Sequence, residues 1–556
     1  MKRKFWGPYV VIGGLVLATT TTYLSAAGDE FPLDDAYIHF VYAEHLAQQG
    51  ELSFNRGEPG VGTTSILWVL LLAGLHCLGL PTYLGARLVG LLSLFAVGCA
   101  AYELARATFV RWERIEPTVP AQVATGLVLL SGNLLWFTLS GMETMLFLAL
   151  GLGALVLYLH RQFVPLGIVL GLLSLTRIEG LALLIVIGLV ELLSERRPTR
   201  PVLLIGLLAT ICLAPWVLYL HGRTGLWLPT SFAGKKWAQL QALQAFASRS
   251  PLTAPLLAFK PVLYLSAWFF YTLLFVLGGI AWPGPRWPVG RLIGSSDITL
   301  SWVGLGFGLG LVPLFKHAVR CSWEWLRRRC DLAQTPDRVL LAFLGWVALH
   351  NLAYMFILPI LGTASRYGAL NHVVLWLAIA VGLFAIPRPR CAFRLAAAVV
   401  AVVALTDTIY WGRVYAANVE HTRDVRVRAA QFVARYLPPQ AVVAAHDIGV
   451  VKYFIPQRVV DLGGLTDPAF VGYEKEGRVA EYLRERGVDY LLLPDKHSTE
   501  EKPAYDYRQA LGLRNCSDFV LEEIAAFEND RRRWALGSVP TWNALPSVHL
   551  YRLRWK

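Results

Sequence analysis

Long apolar runs are the feature that most constrains how this chain can fold. A membrane-spanning helix needs about 20 apolar residues. Apolar runs of about that length, some shorter, lie at residues 7–27, 83–105, 120–138, 144–160, 163–176, 181–194, 201–220, 261–282, 338–360, 369–386 and 395–412. Charged residues make up only 16% of the chain, whereas soluble proteins carry about 25%. The sequence therefore predicts a mainly α-helical, multi-pass membrane protein with about 11 transmembrane helices.

Charge density divides the chain into two parts. Residues 1–412 contain 49 charged residues, 30 of them Lys or Arg, whereas residues 413–556 contain 40, of which 21 are Lys or Arg. The sequence thus predicts a transmembrane domain at 1–412 and a soluble domain at 413–556. The net charge of +13 lies mainly in the membrane part, where loop lysines and arginines set orientation. The basic character therefore does not indicate nucleic-acid binding.

The N-terminus begins with Met-Lys-Arg-Lys and continues as an apolar run to Leu24. This pattern fits either a cleaved signal peptide or an uncleaved first span. Because many spans follow, we favour the uncleaved span. We expect the N-terminus to lie on the cytoplasmic side of the cell membrane.

Two further apolar runs, 65–80 and 298–315, are ambiguous. If 65–80 lies at the surface as an interfacial helix, 21 basic residues of the membrane part fall on the side of the N-terminus and 9 on the other. If it crosses, the pattern inverts partway along the chain, so the positive-inside rule favours a surface helix. Both flanks of 298–315 are basic, which favours a non-crossing or re-entrant segment. Residues 28–80 then form the first outer loop, and the C-terminal domain is extracytoplasmic.

This topology places five polar stretches on the outer face, at the ends of spans or in the loops beside them. They are Leu33–Tyr37, Ser140–Thr144, Thr176–Gly180, Leu228–Lys236 and Ser365–Tyr367. Ionisable residues at membrane depth are costly and usually serve a function. The sequence therefore predicts an active site that faces away from the cytoplasm.

Two adjacent carboxylates begin the most polar of these stretches. Asp34 and Asp35 precede residues 36–49, whose apolar pattern predicts an amphipathic surface helix. One carboxylate can act as a general base that accepts a proton from an attacking hydroxyl group. The second can raise the pKa of the first, bind the acceptor or share a divalent cation. The alternative is that Asp34 only caps the helix. No residue pattern identifies a cofactor, and a metal requirement stays open.

Cationic residues on the outer face suit an anionic substrate. A guanidinium or ammonium group there can hold a phosphate, and the candidates are Arg177, Lys235, Lys236 and Arg366. Arg177 can instead form a local ion pair, and the others can reach towards lipid phosphates. No nucleotide-binding loop stands out, and nucleotides lie on the cytoplasmic side. An outward-facing site instead needs a donor that is activated and lipid-linked, and a polyprenyl-phosphate sugar meets this need.

Several short motifs follow one another in a recognisable order. They are Asp34–Ile38, Tyr42-Ala43, Asn55–Glu58, Gly62–Trp68, Ser140–Thr144 with Phe147, Thr176–Gly180, Leu228–Lys236, Asp447–Gly449 and Val460–Asp467. Together they resemble the bacterial GT-C glycosyltransferases that use polyprenyl-phosphate sugars. The closest branch contains the AftB-like terminal arabinofuranosyltransferases. The resemblance covers residues 31–470.

The resemblance implies a GT-C fold and an inverting transfer of a sugar, arabinofuranose or mannose in type, to an envelope glycan or a lipid acceptor. It implies that Asp34 is the catalytic base and that Asp35 orients the acceptor or is the alternative base. The other expected substrate-binding residues are Tyr37, Glu143, Arg177, Glu179, Lys235, Lys236, Arg366, Asp447 and Asp461. Glu143, at the start of a span, can equally be a helix cap. The alternatives are transfer to protein or to lipid A on the same fold, and a transporter or flippase. Transport is disfavoured because the ionisable residues cluster at one interface rather than at the midplane.

The C-terminal domain alternates helical and strand patterns. Residues 421–437 and 474–487 predict helices, and 441–445, 450–455, 458–462 and 488–493 predict strands separated by turns. This order favours a small α/β domain. Asp447 and Asp461 follow strands, where sites of α/β folds often form, although turn chemistry also explains them. We expect the domain to cover the membrane site and to help hold the acceptor.

Overall fold

The fold is described by a computed structural model of the chain. It describes residues 6–59, 62–111, 116–195, 199–227, 229, 237, 286–287, 300–357, 362–385, 390–495, 507–514, 516–529 and 547–556. The predicted span at 261–282 lies outside these residues.

Fourteen helices form the first part of the described chain. They are α1 Gly7–Ala27, α2 Asp34–Gln49, α3 Ile66–Cys77, α4 Thr82–Arg111, α5 Thr118–Leu129, α6 Gly132–Leu139, α7 Thr144–Leu159, α8 Phe163–Thr176, α9 Leu181–Glu195, α10 Arg200–Thr224, α11 Trp302–Arg328, α12 Thr335–Ile357, α13 Ala369–Phe384 and α14 Arg390–His421. Every apolar run that falls on described residues is helical, which confirms a mainly α-helical membrane part.

Within the described residues, six helical segments are long and apolar enough to cross a membrane. A seventh is present if α5 and α6, which meet at an angle of 56°, form one broken span. α7 and α8 are apolar but have only 16 and 14 residues, about 24 and 21 Å of helix. The surface helix predicted at 65–80 corresponds to α3, whose 12 residues are too short to cross. The ambiguous run at 298–315 falls mostly in α11 and is not among the six.

Two helices of the membrane part, α4 and α6, approach each other closely at a glycine of α4. A Cβ atom on Gly90 of α4 would lie 2.2 Å from the carbonyl oxygen of Thr138 in α6. Real side-chain contacts do not reach such distances, so an alanine there would force the two helices apart.

We expect Gly90→Ala to destabilise the protein by about 1–3 kcal/mol, the usual cost of overpacking. Gly126→Ala in α5 is the matched control, because its Cβ atom would have no neighbour within 4 Å. Thermal unfolding of both variants in detergent checks this result. Equal melting temperatures of the two variants would contradict the close packing of α4 on α6.

The remaining elements include an α/β domain at the C-terminus. They are β1 Ser53–Asn55, β2 Glu58–Pro59, β3 Arg286–Trp287, β4 Leu300–Ser301, α15 Arg428–Tyr436, β5 Val442–Ala445, α16 Ile448–Phe454, β6 Arg458–Asp461, α17 Ala469–Lys475, α18 Val479–Glu485, β7 Tyr490–Asp495, α19 Tyr507–Ala510, β8 Phe519–Glu528 and β9 Ser547–Trp555. A five-stranded sheet has the order β6-β5-β7-β9-β8. β6, β5 and β7 are parallel, and β9 runs antiparallel to both β7 and β8. The predicted α/β domain is confirmed.

Two segments of this domain differ from the sequence pattern. Residues 450–455, which the sequence predicted as a strand, lie mostly in helix α16. The predicted helix at 474–487 is instead two helices, α17 and α18, because Gly477 has a positive φ of 69° that ends the first of them. The predicted helix at 421–437 holds, with one wide turn at Thr422–Val427 before α15.

The first outer loop is bonded to the edge of the C-terminal sheet. The side-chain amide of Asn55 donates to the Val459 carbonyl oxygen at 2.9 Å and accepts from the Val459 N–H at 3.0 Å. Glu58 pairs with Arg458 on the same strand, β6. α14 continues past residue 412, so the last membrane helix leads directly into this domain. The loop and the domain are therefore in direct contact.

Candidate active site

A cavity that opens to solvent lies where α2, the loop after β2, the start of α7 and the turn before α13 meet; its empty space, with the solvent at its mouth included, is about 410 Å³. Its walls are Asp35, Ile38, His39, Gly62, Thr63, Thr64, Met142, Glu143, Arg366, Tyr367 and Leu465. Three of the predicted site residues therefore line it: Asp35, Glu143 and Arg366. Leu465 belongs to the C-terminal domain, so both parts of the chain contribute to the wall.

Asp35 is the accessible carboxylate of the adjacent pair. It lies in the first turn of α2 and 27% of its side chain is exposed. Its Oδ2 atom pairs with Nη2 of Arg366, a residue more than 300 positions away in the sequence. Asp35 can thus accept a proton from a hydroxyl group bound in the cavity.

Arg366 is held by an unusual turn, Thr363–Gly368. Ala364 and Ser365 have φ values of 55° and 65°, a left-handed conformation that costs about 1–3 kcal/mol per non-glycine residue and is common at functional sites. The Arg366 side chain is only 6% exposed. Its Nη1 atom is buried without a hydrogen-bond partner among the described residues. The guanidinium group therefore has donor capacity to spare at the cavity wall.

His39 is a cavity residue that the sequence prediction did not include among the site residues. Its Nδ1 atom lies 3.1 Å from Thr63 Oγ1 and its Nε2 atom 3.8 Å from Glu143 Oε2. The signal was present, because His39 follows Asp35 by four residues and so shares its helix face. The Gly62–Trp68 motif also indicated this wall, since it supplies Gly62, Thr63 and Thr64.

Asp34 lies outside the cavity lining. Its side chain is buried, with 3% exposure, and its two oxygens accept the N–H groups of Gly449 at 2.9 Å and Val450 at 2.8 Å. Burial raises its pKa to about 7, and the nearby charge of Asp447 adds to the increase, whereas Arg426 opposes it. Its contacts thus match the capping alternative, although the helix it caps is α16 rather than its own.

Arg177 is fully engaged with protein groups. Nη1 donates to Glu143 at 3.1 Å, and Nη2 donates to Glu179 and to the Tyr354 hydroxyl, each at 2.9 Å. Its guanidinium also stacks over the ring of Tyr367. These contacts favour the ion-pair alternative for Arg177 and Glu179. They also fix Glu143 at the edge of the cavity.

The other predicted site residues serve local contacts or fall outside the described residues. The Tyr37 hydroxyl bonds to Glu30 within a cluster of aromatic rings. Asp461 accepts the backbone N–H groups of Gly463, Leu465 and Thr466, so it shapes the turn that brings Leu465 to the cavity. Asp447 pairs with Arg426. Lys235 and Lys236 lie outside the described residues.

Metal binding was left open by the sequence. Within the described ranges, no group of three or more His, Cys, Asp or Glu residues is arranged to hold a metal ion. Asp35 and Glu143 are the carboxylates of the cavity wall, and each already faces an arginine.

Solved structures with the same architecture are GT-C glycosyltransferases. ArnT from Cupriavidus metallidurans bound to undecaprenyl phosphate has a TM-score of 0.55 at 14% identity and covers 98% of both chains. The Archaeoglobus fulgidus oligosaccharyltransferase tethered with an acceptor peptide has a TM-score of 0.51 at 12% identity, covering 88% of this chain and 69% of its own. The AglB structure from the same organism, with an inhibitory peptide and a dolichol-phosphate, has a TM-score of 0.50 at 11% identity, covering 88% and 70%.

Comparisons of the amino-acid sequence give less information than the comparison of structures. Residues 413–537 match a family described as a domain of unknown function (DUF8728). No curated protein sequence matches the chain significantly. The structural likeness spans both parts of the chain and agrees with the helical membrane part and the small C-terminal sheet. The chain therefore has the multi-pass membrane fold of the GT-C glycosyltransferases.

Proposed function

We propose that this chain is an inverting glycosyltransferase of the GT-C type that transfers a sugar from a polyprenyl-phosphate donor to an envelope glycan or lipid acceptor. Residues 1–412 would form the transmembrane catalytic domain and 413–556 an extracytoplasmic domain that covers the site. The fold supports this proposal, since one structure of the same fold is bound to undecaprenyl phosphate and another to a dolichol-phosphate. The motif order supports an AftB-like donor preference.

One observation carries the proposal. The cavity brings a partly exposed carboxylate, Asp35, against a buried guanidinium, Arg366, whose Nη1 atom has no hydrogen-bond partner in the part of the chain that the structure describes. Sugar transfer from a phosphate donor needs these two groups: a base for the acceptor hydroxyl and a cation for the leaving phosphate.

The step is a single displacement. Asp35 accepts the proton of the acceptor hydroxyl group while the hydroxyl oxygen attacks the anomeric carbon of the donor sugar. The bond between that carbon and the phosphate oxygen breaks, and the electron pair leaves with polyprenyl phosphate. Arg366 stabilises the charge that develops on the phosphate. The anomeric configuration inverts because attack and departure occur on opposite faces.

Of the two carboxylates left open by the sequence, we favour Asp35 as the base. Both oxygens of Asp34 accept backbone N–H groups, and the side chain does not line the cavity. A general base has to come within hydrogen-bond reach of the proton that it removes. Asp35 meets this condition for a hydroxyl group in the cavity.

Release of polyprenyl phosphate tests the function. Purified protein in detergent would be incubated with polyprenyl-phosphate arabinofuranose, mannose and glucose, with and without a crude envelope glycan. We expect release from one donor only, and strong stimulation by the acceptor. Lipid A and an acceptor peptide, each in place of the glycan, test the alternative acceptors.

Three outcomes separate the alternatives. Release that depends on lipid A or peptide would keep the reaction type and replace the acceptor. Movement of intact donor across vesicle membranes without release would support the flippase alternative. Folded protein that releases no polyprenyl phosphate with any combination of donor and acceptor would refute the transferase proposal.

A further inference from the structure

Asp34 makes a contact between α2 and the C-terminal domain that the proposed reaction does not use. Its carboxylate accepts two successive backbone N–H groups, those of Gly449 and Val450. The three residues Asp447–Gly449 formed one of the motifs singled out in the sequence. The contact is buried, and one of its two sides, α2, lines the cavity.

Gly449 permits this contact. A Cβ atom at this position would lie 2.1 Å from the carbonyl oxygen of Asp34 and 3.0 Å from its Oδ2 atom. Any side chain would therefore push α16 away from α2. The close approach of the two backbones allows both N–H groups to reach one carboxylate.

Asp447 fixes the same segment from the other side. Its Oδ2 atom accepts from Arg426 Nε at 2.9 Å and Nη2 at 2.7 Å, and its Oδ1 atom lies 3.1 Å from His446 Nδ1. Burial would raise the pKa of Asp447, but the charges of Arg426 and His446 hold it well below its usual range. Arg426 lies in the wide turn that continues α14. The segment 447–449 thus joins α2 to the end of the last membrane helix.

We propose that Asp34 and the segment Asp447–Gly449 form a latch that positions Asp35. The inference rests on the proposed function, because it assigns Asp34 a positioning role for the base beside it. Asp34 and Asp35 are consecutive residues of the first turn of α2, so fixing Asp34 fixes the backbone from which Asp35 reaches Arg366. Displacement of a reacting group by 1 Å can cost about 100-fold in rate.

Two variants open the latch from opposite sides. Asp34→Asn replaces one acceptor oxygen with an NH₂ group that faces a backbone N–H, and Gly449→Ala introduces the close contact without changing a carboxylate. We expect each variant to lower kcat by about 10- to 100-fold and to leave the KM for the donor nearly unchanged. Gly472→Ala in α17 is the control, because its Cβ atom would have no neighbour within 4 Å.

Two measurements distinguish a latch from a base. Hydrogen exchange of the peptide covering 447–455 should be faster in Asp34→Asn and Gly449→Ala, and unchanged in Asp35→Asn and Gly472→Ala. The pH–rate profile should keep its acidic limb in both latch variants and lose it in Asp35→Asn, because that limb reports the base.

Several results would overturn the latch while leaving the function intact. These are unchanged exchange in Asp34→Asn, wild-type kcat in Gly449→Ala despite faster exchange, or loss of the acidic limb in Asp34→Asn, which would make Asp34 the base. Wild-type protein that releases no polyprenyl phosphate would instead refute the proposed function, and the positioning role with it.

Discussion

Asp35→Asn will lower the rate of sugar transfer by about 100- to 10,000-fold, the usual contribution of a general base. Asparagine preserves the size of the side chain and can still bond to Arg366, but it cannot accept the proton of the acceptor hydroxyl. The loss should therefore appear in kcat, with a small change in the KM for the donor. Release of polyprenyl phosphate under saturating acceptor is the measurement.

The control for this variant is Asp29→Asn, which changes an exposed carboxylate just before α2 and should keep wild-type activity. Thermal unfolding establishes that Asp35→Asn is folded. Full activity of Asp35→Asn together with inactivity of Asp34→Asn would move the base to Asp34, as the family resemblance implies. Inactivity of both, each without an acidic limb, would mean that the two carboxylates act as a pair.

The sequence predicted the helices and strands of this fold well wherever a short local pattern determines the type of element. The apolar runs that fall on described residues are helices. Loop charge predicted a surface helix at 65–80, and α3 is too short to cross a membrane. Helix α16 was missed because residues 450–455 form a mostly apolar run that is short enough for a strand. The carboxylate that caps this helix belongs to Asp34, 415 residues away in the sequence. A partner at such a distance leaves no local pattern.

The sequence named only some of the residues that line the cavity, because the others depend on partners that are distant in the sequence. The motifs include Asp35 and Glu143 of the cavity wall, and Arg366 lies in one of the polar stretches predicted on the outer face. The sequence did not show which of two residues of the same type has the contacts of a site residue. The sequence predicted both Arg177 and Arg366 as outward-facing arginines. Arg177 is surrounded by Glu143, Glu179 and Tyr354, whereas the Nη1 atom of Arg366 has no partner among the described residues. That difference depends on which helices are neighbours, and a single sequence does not contain that information.

The adjacent residues Asp34 and Asp35 show most clearly what a single sequence leaves undetermined. Successive residues of a helix point about 100° apart, so the two neighbouring carboxylates extend in different directions from α2. The sequence showed that they differ in direction but not which one faces the substrate. The structure orients Asp34 towards α16 and Asp35 towards Arg366. The chemistry then follows from the direction of each side chain rather than from residue type.

Arg366 gives the second large effect that we expect. Removing one preorganised donor to a developing charge usually costs about 100- to 1,000-fold in kcat, so Arg366→Gln should lose at least that much. It should also bind polyprenyl phosphate at least tenfold more weakly, measured as product inhibition, because a charge-assisted contact to the phosphate is lost. Arg366→Lys should recover part of the affinity, since lysine keeps the charge but not the planar fork.

A matched arginine separates a phosphate contact from a general loss of outer-face charge. Arg87 lies beside the first outer loop, where it bonds to the Asp29 carbonyl oxygen and stacks over Phe31, and it does not line the cavity. Arg87→Gln should therefore keep wild-type affinity for polyprenyl phosphate. If Arg366→Gln loses kcat but keeps that affinity, Arg366 acts only by orienting Asp35, and the leaving phosphate is held by other residues. Loss of both quantities in Arg366→Gln, with neither lost in Arg87→Gln, assigns the phosphate to Arg366.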